Sequence, residues 1–310
     1  IFGKQVKFLS SDPDNEAEGQ VWYNSTSQTF KTVVSSGAWS SSSPISTARL
    51  QSAGTGTQTS SLLMAGNIPP YPTATAVVEE YNGTGWSNQA SIPTATMGGG
   101  GAGTVTSALF AGGFVAPPPP GQTATYEFDG STWTGGGALN FGRTNIGSGG
   151  SQTAAIVFCG SEASSPNPSN KAEEYNGTSW TAGGDLGNAR YGMGAGNVGL
   201  QTATLAIGGG MSPYTDKVEE YNGTSWSETT VIPTASSESS RWGTTTAAVY
   251  AGGYPTPGMG GKNFHFDGST WTAAPDMAYP RAANPGTGTT TAGLVAGSDP
   301  FVANTEEYNV

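Results

Sequence analysis

The chain carries one cysteine, Cys159, and one histidine, His265, in 310 residues. A lone cysteine excludes an intrachain disulfide and a cysteine-based metal site. A lone histidine excludes a histidine cluster, and no motif supports a Ser-His-Asp arrangement around it. Basic residues are scarce too: 11 Lys and Arg stand against 22 Asp and Glu, for a net charge of −11. Without a basic cluster the chain has no means of gripping nucleic-acid phosphates, and its acidity disfavours anionic membranes. No apolar run approaches the roughly 18 residues of a transmembrane helix, so no membrane insertion is expected. The chain starts at Ile1, and residues 1–10 lack a signal-peptide pattern. Either the start was processed or an upstream region lies outside this sequence.

Hydrophobic residues make up 35% and charged residues 11%, while glycine is abundant at 48. Too little charge is present for a solvating disordered chain, and the glycines fall at fixed places in a repeat. One phrase recurs six times, ending at Trp39, Trp86, Trp133, Trp180, Trp226 and Trp271. Its full form is Glu-Glu-Tyr-Asn-Gly-Thr-Ser-Trp, at 173–180 and 219–226, with Asp-Gly-Ser-Thr-Trp variants at 129–133 and 267–271. A period of roughly 45 residues marks a repeat architecture. Within one repeat, four short β segments follow one another, a to d. Strand a opens with Arg in four copies. Strand b is apolar and ends in a glycine pair, strand c carries an aromatic, and strand d carries the Trp. The strand c aromatics are Tyr81, Phe128, Tyr175, Tyr221, Phe266 and Tyr308. Asn-Gly or Asp-Gly between c and d is a hairpin signal, since both residues tolerate positive φ. Cys159 lies in a strand where sister repeats carry Ala, which reads as a small buried thiol.

The glycine pair, the aromatic and the Trp resemble the Kelch motif, over residues 30–310. The second glycine is replaced by Asn67, Ser161 or Ser298 in three copies. The Asp-Gly-Ser-Thr-Trp copies also resemble the Asp-box turn of sialidases, with one residue fewer between Asp and Gly. The Kelch resemblance implies an all-β, six-bladed propeller of four-stranded blades at 31–310. The chain stops at a strand c, Tyr308–Val310, with no d after it. The expected closure pairs the early strand d around Trp39 with the last a, b and c. Both chain ends then enter at the c–d face, and residues 1–30 project there as an anchor with a short hairpin. Within it, 18–26 (Glu-Gly-Gln-Val-Trp-Tyr-Asn-Ser-Thr) resembles hairpin segments of bacteriophage tail and virion-surface proteins.

Function is expected where the copies differ, in the b–c loops at 67–74, 114–123, 162–170, 210–216, 254–262 and 298–304. These hold Tyr71, the proline run 117–120, Met211, Tyr214, Tyr254, Met259 and Phe301. Rigid aromatics at Tyr71, Tyr214, Tyr254 and Phe301 suit contact with sugar or protein; they equally suit packing of the loops themselves. Arg49, Arg143, Arg190 and Arg281 have two readings. As a ring near the channel mouth they grip a carboxylate or sulfate. As structural residues they pair with the strand c acids Glu80, Glu127, Glu174, Glu220 and Glu307. The paired acids at 79–80, 173–174, 219–220 and 306–307 point to opposite faces of a strand and form no acid/base pair. No Asp-x-Asp-x-Asp calcium loop occurs, and neither metal nor cofactor is expected. Asn24, Asn82, Asn176 and Asn222 match the N-glycosylation pattern. Together these features imply a non-enzymatic virion-surface or extracellular adhesion module that binds host glycan or protein. The alternatives are a capsid or tail decoration that contacts other virion proteins, and a sialidase-like glycan-active enzyme. Ligand and oligomeric state are left open.

Overall fold

The computed structural model describes residues 7–11, 13, 21–32, 37–115, 121–162, 167–194, 196–210, 213–255 and 260–310. These residues contain no helix. Their strands form six four-stranded sheets, one three-stranded sheet and one two-stranded sheet. This all-β arrangement of antiparallel four-stranded sheets is consistent with a β-propeller.

In the first four-stranded sheet, Ala53–Thr57 (a), Ser60–Ile68 (b), Thr73–Tyr81 (c) and Trp86–Gln89 (d) pair in order. The second uses Gly100–Thr104, Ser107–Ala111, Thr125–Phe128 and Trp133–Gly135. The third uses Gly147–Gly150, Ala155–Phe158, Ala172–Tyr175 and Trp180–Ala182. The fourth uses Gly199–Leu200, Ala203–Ile207, Val218–Tyr221 and Trp226–Thr229. The fifth uses Ser240–Thr244, Ala247–Ala251, Asn263–Phe266 and Trp271–Ala274. In the sixth, Gly286–Gly288, Ala292–Ser298 and Val302–Asn309 are joined by Ala38–Ser42, with Trp39 opposite Tyr308.

The repeated phrase packs each sheet against the one before. Every strand d Trp stands directly opposite its strand c aromatic, with ring centroids 4.9–5.3 Å apart. Five of the Trp indoles then donate to the preceding sheet or the loop that leaves it, as Trp180 Nε1 does to Thr125 Oγ1 at 2.9 Å. Strand b is buried on both faces, which explains its unbroken apolar run. Leu62 and Met64 pack toward the second sheet and Leu63 toward the sixth. Six apolar clusters lie between consecutive sheets, and one of them joins the sixth sheet to the first. Cys159 belongs to the cluster between the third and fourth sheets and is fully buried.

Several local expectations need correction. The c–d connection is a four-residue loop in which only the glycine after the Asn or Asp has positive φ. Asn82, Asn176 and Asn222 instead use their side-chain oxygen to cap the backbone N–H groups two and three residues on, as do Asp129 and Asp267. This cap explains why Asp substitutes for Asn there. The glycine pair also aligns differently. Its left-handed first position is Ala65, Gly112, Cys159, Gly208, Gly252 and Gly297 (φ 56–71), so the first and third copies replace the first glycine, not the second. Arg49, Arg143, Arg190 and Arg281 precede strand a and do not open it.

Those arginines lie inside the sheets. Arg49, Arg143, Arg190 and Arg281 bond to Glu79, Glu173, Glu219 and Glu306 at 2.5–2.8 Å, with every side chain at most 3% exposed. The partner is the first acid of each pair, not the second, because it is the first that faces inward. Each guanidinium also donates to carbonyls in or beside the strands, as Arg143 does to Cys159 and Lys171. The glutamates hold the loop that enters the sheet through its backbone N–H at Ser46, Asn140, Gly187 or Ala278. In the second and fifth sheets both partners change together, to Thr96 with Tyr126 and Ser236 with Phe264. The second acid points to the neighbouring sheet. There the Tyr81, Tyr175 and Tyr221 hydroxyls donate to Glu307, Glu127 and Glu174.

Ahead of these sheets, Lys7–Leu9 pairs parallel with Val21–Asn24, which pairs antiparallel with Thr29–Thr32. Phe30 thus belongs to this small sheet. Of the 18–26 segment, residues 18–20 lie outside the described residues.

Glu173→Ala strands the buried Arg143 charge and is expected to destabilise the fold by about 3–5 kcal/mol. Lys262→Ala, which breaks the solvent-exposed pair with Asp276, is expected to change stability by less than about 1 kcal/mol. Urea unfolding of the two variants checks the contrast.

Candidate functional site

At the b–c end of the sheets the chain turns into strand a through one left-handed residue per repeat. These are Gln51, Gly98, Asn145, Gly192, Glu238 and Ala283, with φ of 50–69°. Their backbones form a closed circuit. Gln51 N–H donates to Ala283, Gly98 to Gln51, Asn145 to Gly98, Met193 to Asn145, Glu238 to Gly192, and Ala283 to Glu238, at 2.6–3.2 Å. The circuit encloses a cavity of about 20 Å³ bordered by these six positions. At the opposite end, a cavity of about 340 Å³ is lined by glycines such as Gly56, Gly103 and Gly243, with Thr244, Thr287 and Leu200 among the side chains. The a–b turns there need glycine. A Cβ on Gly243, for example, would meet the Ala247 carbonyl oxygen at 2.2 Å.

Around the first cavity the six-fold pattern is broken on one side. Glu238 is the sole charged residue at the six circuit positions. Tyr254, from the fifth sheet's b–c loop, donates its hydroxyl to Asp299 in the sixth sheet's b–c loop. The same tyrosine is braced by pairing of Tyr254–Pro255 with Ser236–Ser237. Burial pushes the Glu238 carboxyl up to about 7, the Asp299 charge adding to the rise and Arg241 opposing it. Burial, then the bond to Asp299, holds Tyr254 well above the usual phenol range; the Glu238, Asp299 and Tyr214 charges add to this. Tyr191 is raised by burial and then by Glu238. Arg241, buried and lowered to about 10 by desolvation, donates Nε to Ser239 Oγ and leaves one terminal nitrogen without a partner.

The structure therefore bonds Tyr254 to Asp299, with Glu238 and Tyr214 near enough to act electrostatically on Tyr254. Tyr71 stands 64% exposed on the first sheet's b–c loop, and Phe301 is half-buried beside strand c of the sixth; neither makes a ring contact with the cluster. The four arginines are committed to ion pairs within their sheets and present no ring of guanidinium groups. The proline run 117–120, Met211 and Met259 lie outside the described residues. His265 is half-buried, and its ring meets Tyr308 edge-on at 5.1 Å; burial lowers its pKa. Among the described residues no three His, Cys, Asp or Glu side chains converge. Glu238 and Asp299 escaped the sequence reading. Aligning the residue two after each repeat's Arg position exposes Glu238 as the lone charge, but Asp299 becomes visible only once two loops are folded side by side.

No protein-family model matches the chain, and the search of curated proteins found no match.

The raised Glu238 value has a definite sign. The folded chain keeps this proton to about pH 7 and the unfolded chain releases it near 4.5, so stability falls as pH rises through that window. Glu238→Gln is expected to raise Tm by roughly 2–4 °C above about pH 7.5 and to leave it unchanged near pH 4. Thermal melts at the two pH values check this.

Proposed function

We propose that this chain is a six-bladed Kelch-like β-propeller, closed by pairing of the early strand d with the last three strands. We further propose that it serves as a non-enzymatic adhesion module on a virion surface or in another extracellular setting. Its ligand is a host glycan or protein, met by the b–c loop face. One observation carries this reading. The b–c face is where sixfold regularity fails: Tyr254 bonds to Asp299 there, Glu238 and Tyr214 act on Tyr254 electrostatically, and Tyr71 stands exposed on the first sheet's b–c loop. Amphipathic rings with hydroxyls beside carboxylates suit sugar hydroxyls and protein backbones alike. The burial of Arg49, Arg143, Arg190 and Arg281 weighs against a sialidase-like enzyme, which needs surface arginines for an anionic sugar.

One observation favours a decoration role instead. On the N-terminal sheet Phe8, Tyr23 and Phe30 form a ladder with centroids 5.2 and 5.1 Å apart, and Phe8 and Phe30 are 71% and 66% exposed. An apolar stripe of this kind suits attachment to another protein subunit. As an anchor it serves either role; the b–c face distinguishes them.

Tyr71→Ala and Tyr254→Phe are each expected to weaken binding to glycan arrays or host cells about tenfold or more, with Tm held within a few degrees for Tyr71→Ala. Unchanged binding in both variants, or no binding by the unmodified chain to any host material, contradicts the proposal.

A further inference from the structure

Asn-Gly occurs three times in the chain, at 82–83, 176–177 and 222–223, and nowhere else. All three pairs lie in c–d loops, and each asparagine is exposed. Gly83, Gly177 and Gly223 hold φ of +89°, so the loop requires glycine after the asparagine. The same glycine makes the pair reactive. With no side chain in the way, its backbone nitrogen has open access to the asparagine amide carbon.

In an open loop that nitrogen attacks the side-chain carbonyl carbon, loses its proton and expels the side-chain nitrogen as ammonia. Water then opens the five-membered imide at either carbonyl, giving aspartate or an isoaspartate with one more carbon in the backbone. In the folded loop the asparagine is tied down. Asn82 Oδ1 accepts the Thr84 and Gly85 N–H groups, both at 3.0 Å. Asn176 Oδ1 accepts those of Thr178 and Ser179, and Asn222 Oδ1 those of Thr224 and Ser225, at 2.9–3.0 Å. Each asparagine N–H also donates to the loop's last carbonyl at 3.2 Å. Imide closure locks the side-chain carbonyl into a ring with the glycine nitrogen, and reaching that ring costs both capping bonds. We propose that Asn82, Asn176 and Asn222 are sites of water-driven deamidation held in check by their caps, and that the aspartate product keeps the loop whereas isoaspartate breaks it.

Two sister loops already carry aspartate. Asp129 and Asp267 Oδ1 accept the N–H groups two and three residues on at 2.7–2.8 Å, and Gly130 and Gly268 hold φ of +93°. Their second oxygens accept the Thr132 and Thr270 hydroxyls at 3.0 Å. These bonds, the Thr132 and Thr270 N–H groups foremost, hold both carboxyls below the usual carboxylate range. An aspartate formed at 82, 176 or 222 fits the same cap and adds negative charge to a chain already at −11. An isoaspartate displaces the glycine by its extra backbone carbon, and the cap loses register with its two donors. Asn24 makes a like cap, to Thr26 and Ser27 at 3.0 Å, but it is buried and followed by Ser25, so it is excluded. The inference does not rest on the adhesion reading, because the c–d loops lie at the other end of the sheets from the b–c loops.

The test incubates the full chain in mildly alkaline buffer, folded and in urea, and follows each pair by peptide mapping with mass spectrometry. Chromatography separates the isoaspartate peptides from the aspartate ones. All three pairs are expected to convert in urea while Asn24 stays intact. In the folded chain each is expected to convert about tenfold or more slowly, with circular dichroism establishing that the sample stays folded. Asn176→Asp is expected to keep Tm within about 1 °C of the unmodified chain, and Asn176→Ala to lower it by about 2 °C or more. A sample enriched in isoaspartate is expected to melt below the Asn176→Asp variant. The proposal is overturned if the three pairs convert as fast folded as in urea, or if they stay intact in urea. It is equally overturned if Asn176→Asp lowers Tm as much as Asn176→Ala, or if the isoaspartate-rich sample melts with Asn176→Asp.

Discussion

Six backbone hydrogen bonds, passed from one sheet to the next around a common axis, are the constraint on which the rest of this molecule depends. Each requires a left-handed residue at the entry to strand a. Left-handed backbone is costly for residues with a Cβ, yet Gln51, Asn145, Glu238 and Ala283 adopt it alongside two glycines. The circuit holds the inner edges of the sheets close together. That closeness favours small residues along strand a, and where the fifth sheet carries Trp242 instead, its ring lies over Gly286 and Gly293 of the sixth. The two cavities on the axis follow from the same geometry, one closed in by the circuit and the other opening between glycine-lined turns.

Away from the axis, contacts between sheets pass to the repeated phrase. Its Tyr or Phe stacks on the Trp of the same sheet, while the Trp indole reaches the sheet before. The phrase's two acids divide their work by strand alternation. The inward one neutralises a buried Arg and holds the incoming loop; the outward one accepts a tyrosine hydroxyl from a neighbouring sheet. The second and fifth sheets depart from this scheme together. They exchange Arg and Glu for a short hydroxyl residue and an aromatic, and Tyr for Phe. Copies four to six thus echo copies one to three.

Much of this was legible in the residues. The repeat period, the apolar strand b and the aromatic–Trp spacing led to all-β, four-stranded sheets, because those signals rest on local periodicity. What was misread depends on backbone detail that periodicity does not encode. Asn82 and its sisters work through a side-chain cap and not through positive φ. Ala65 and Cys159 occupy left-handed positions that a motif expects to be glycine. The inward acid of each pair was named wrongly because alternation shows that two neighbours differ but not which of them faces in. Glu238 and Asp299 come from different repeats, and folding alone brings them to the same mouth. Divergence of the loops thus pointed to a face and, within it, to Tyr214 and Tyr254, whereas Glu238 and Asp299 joined them only in the fold.

The central claim is that the six sheets form one closed circuit with no seam. Amide hydrogen exchange at Gln51, Gly98, Asn145, Met193, Glu238 and Ala283, resolved residue by residue, tests it most directly. A closed circuit predicts that all six are protected to a similar degree and exchange through the same global opening. Exchange of the Gln51 amide, which bonds across the junction of the first and sixth sheets, orders of magnitude faster than the other five would contradict it.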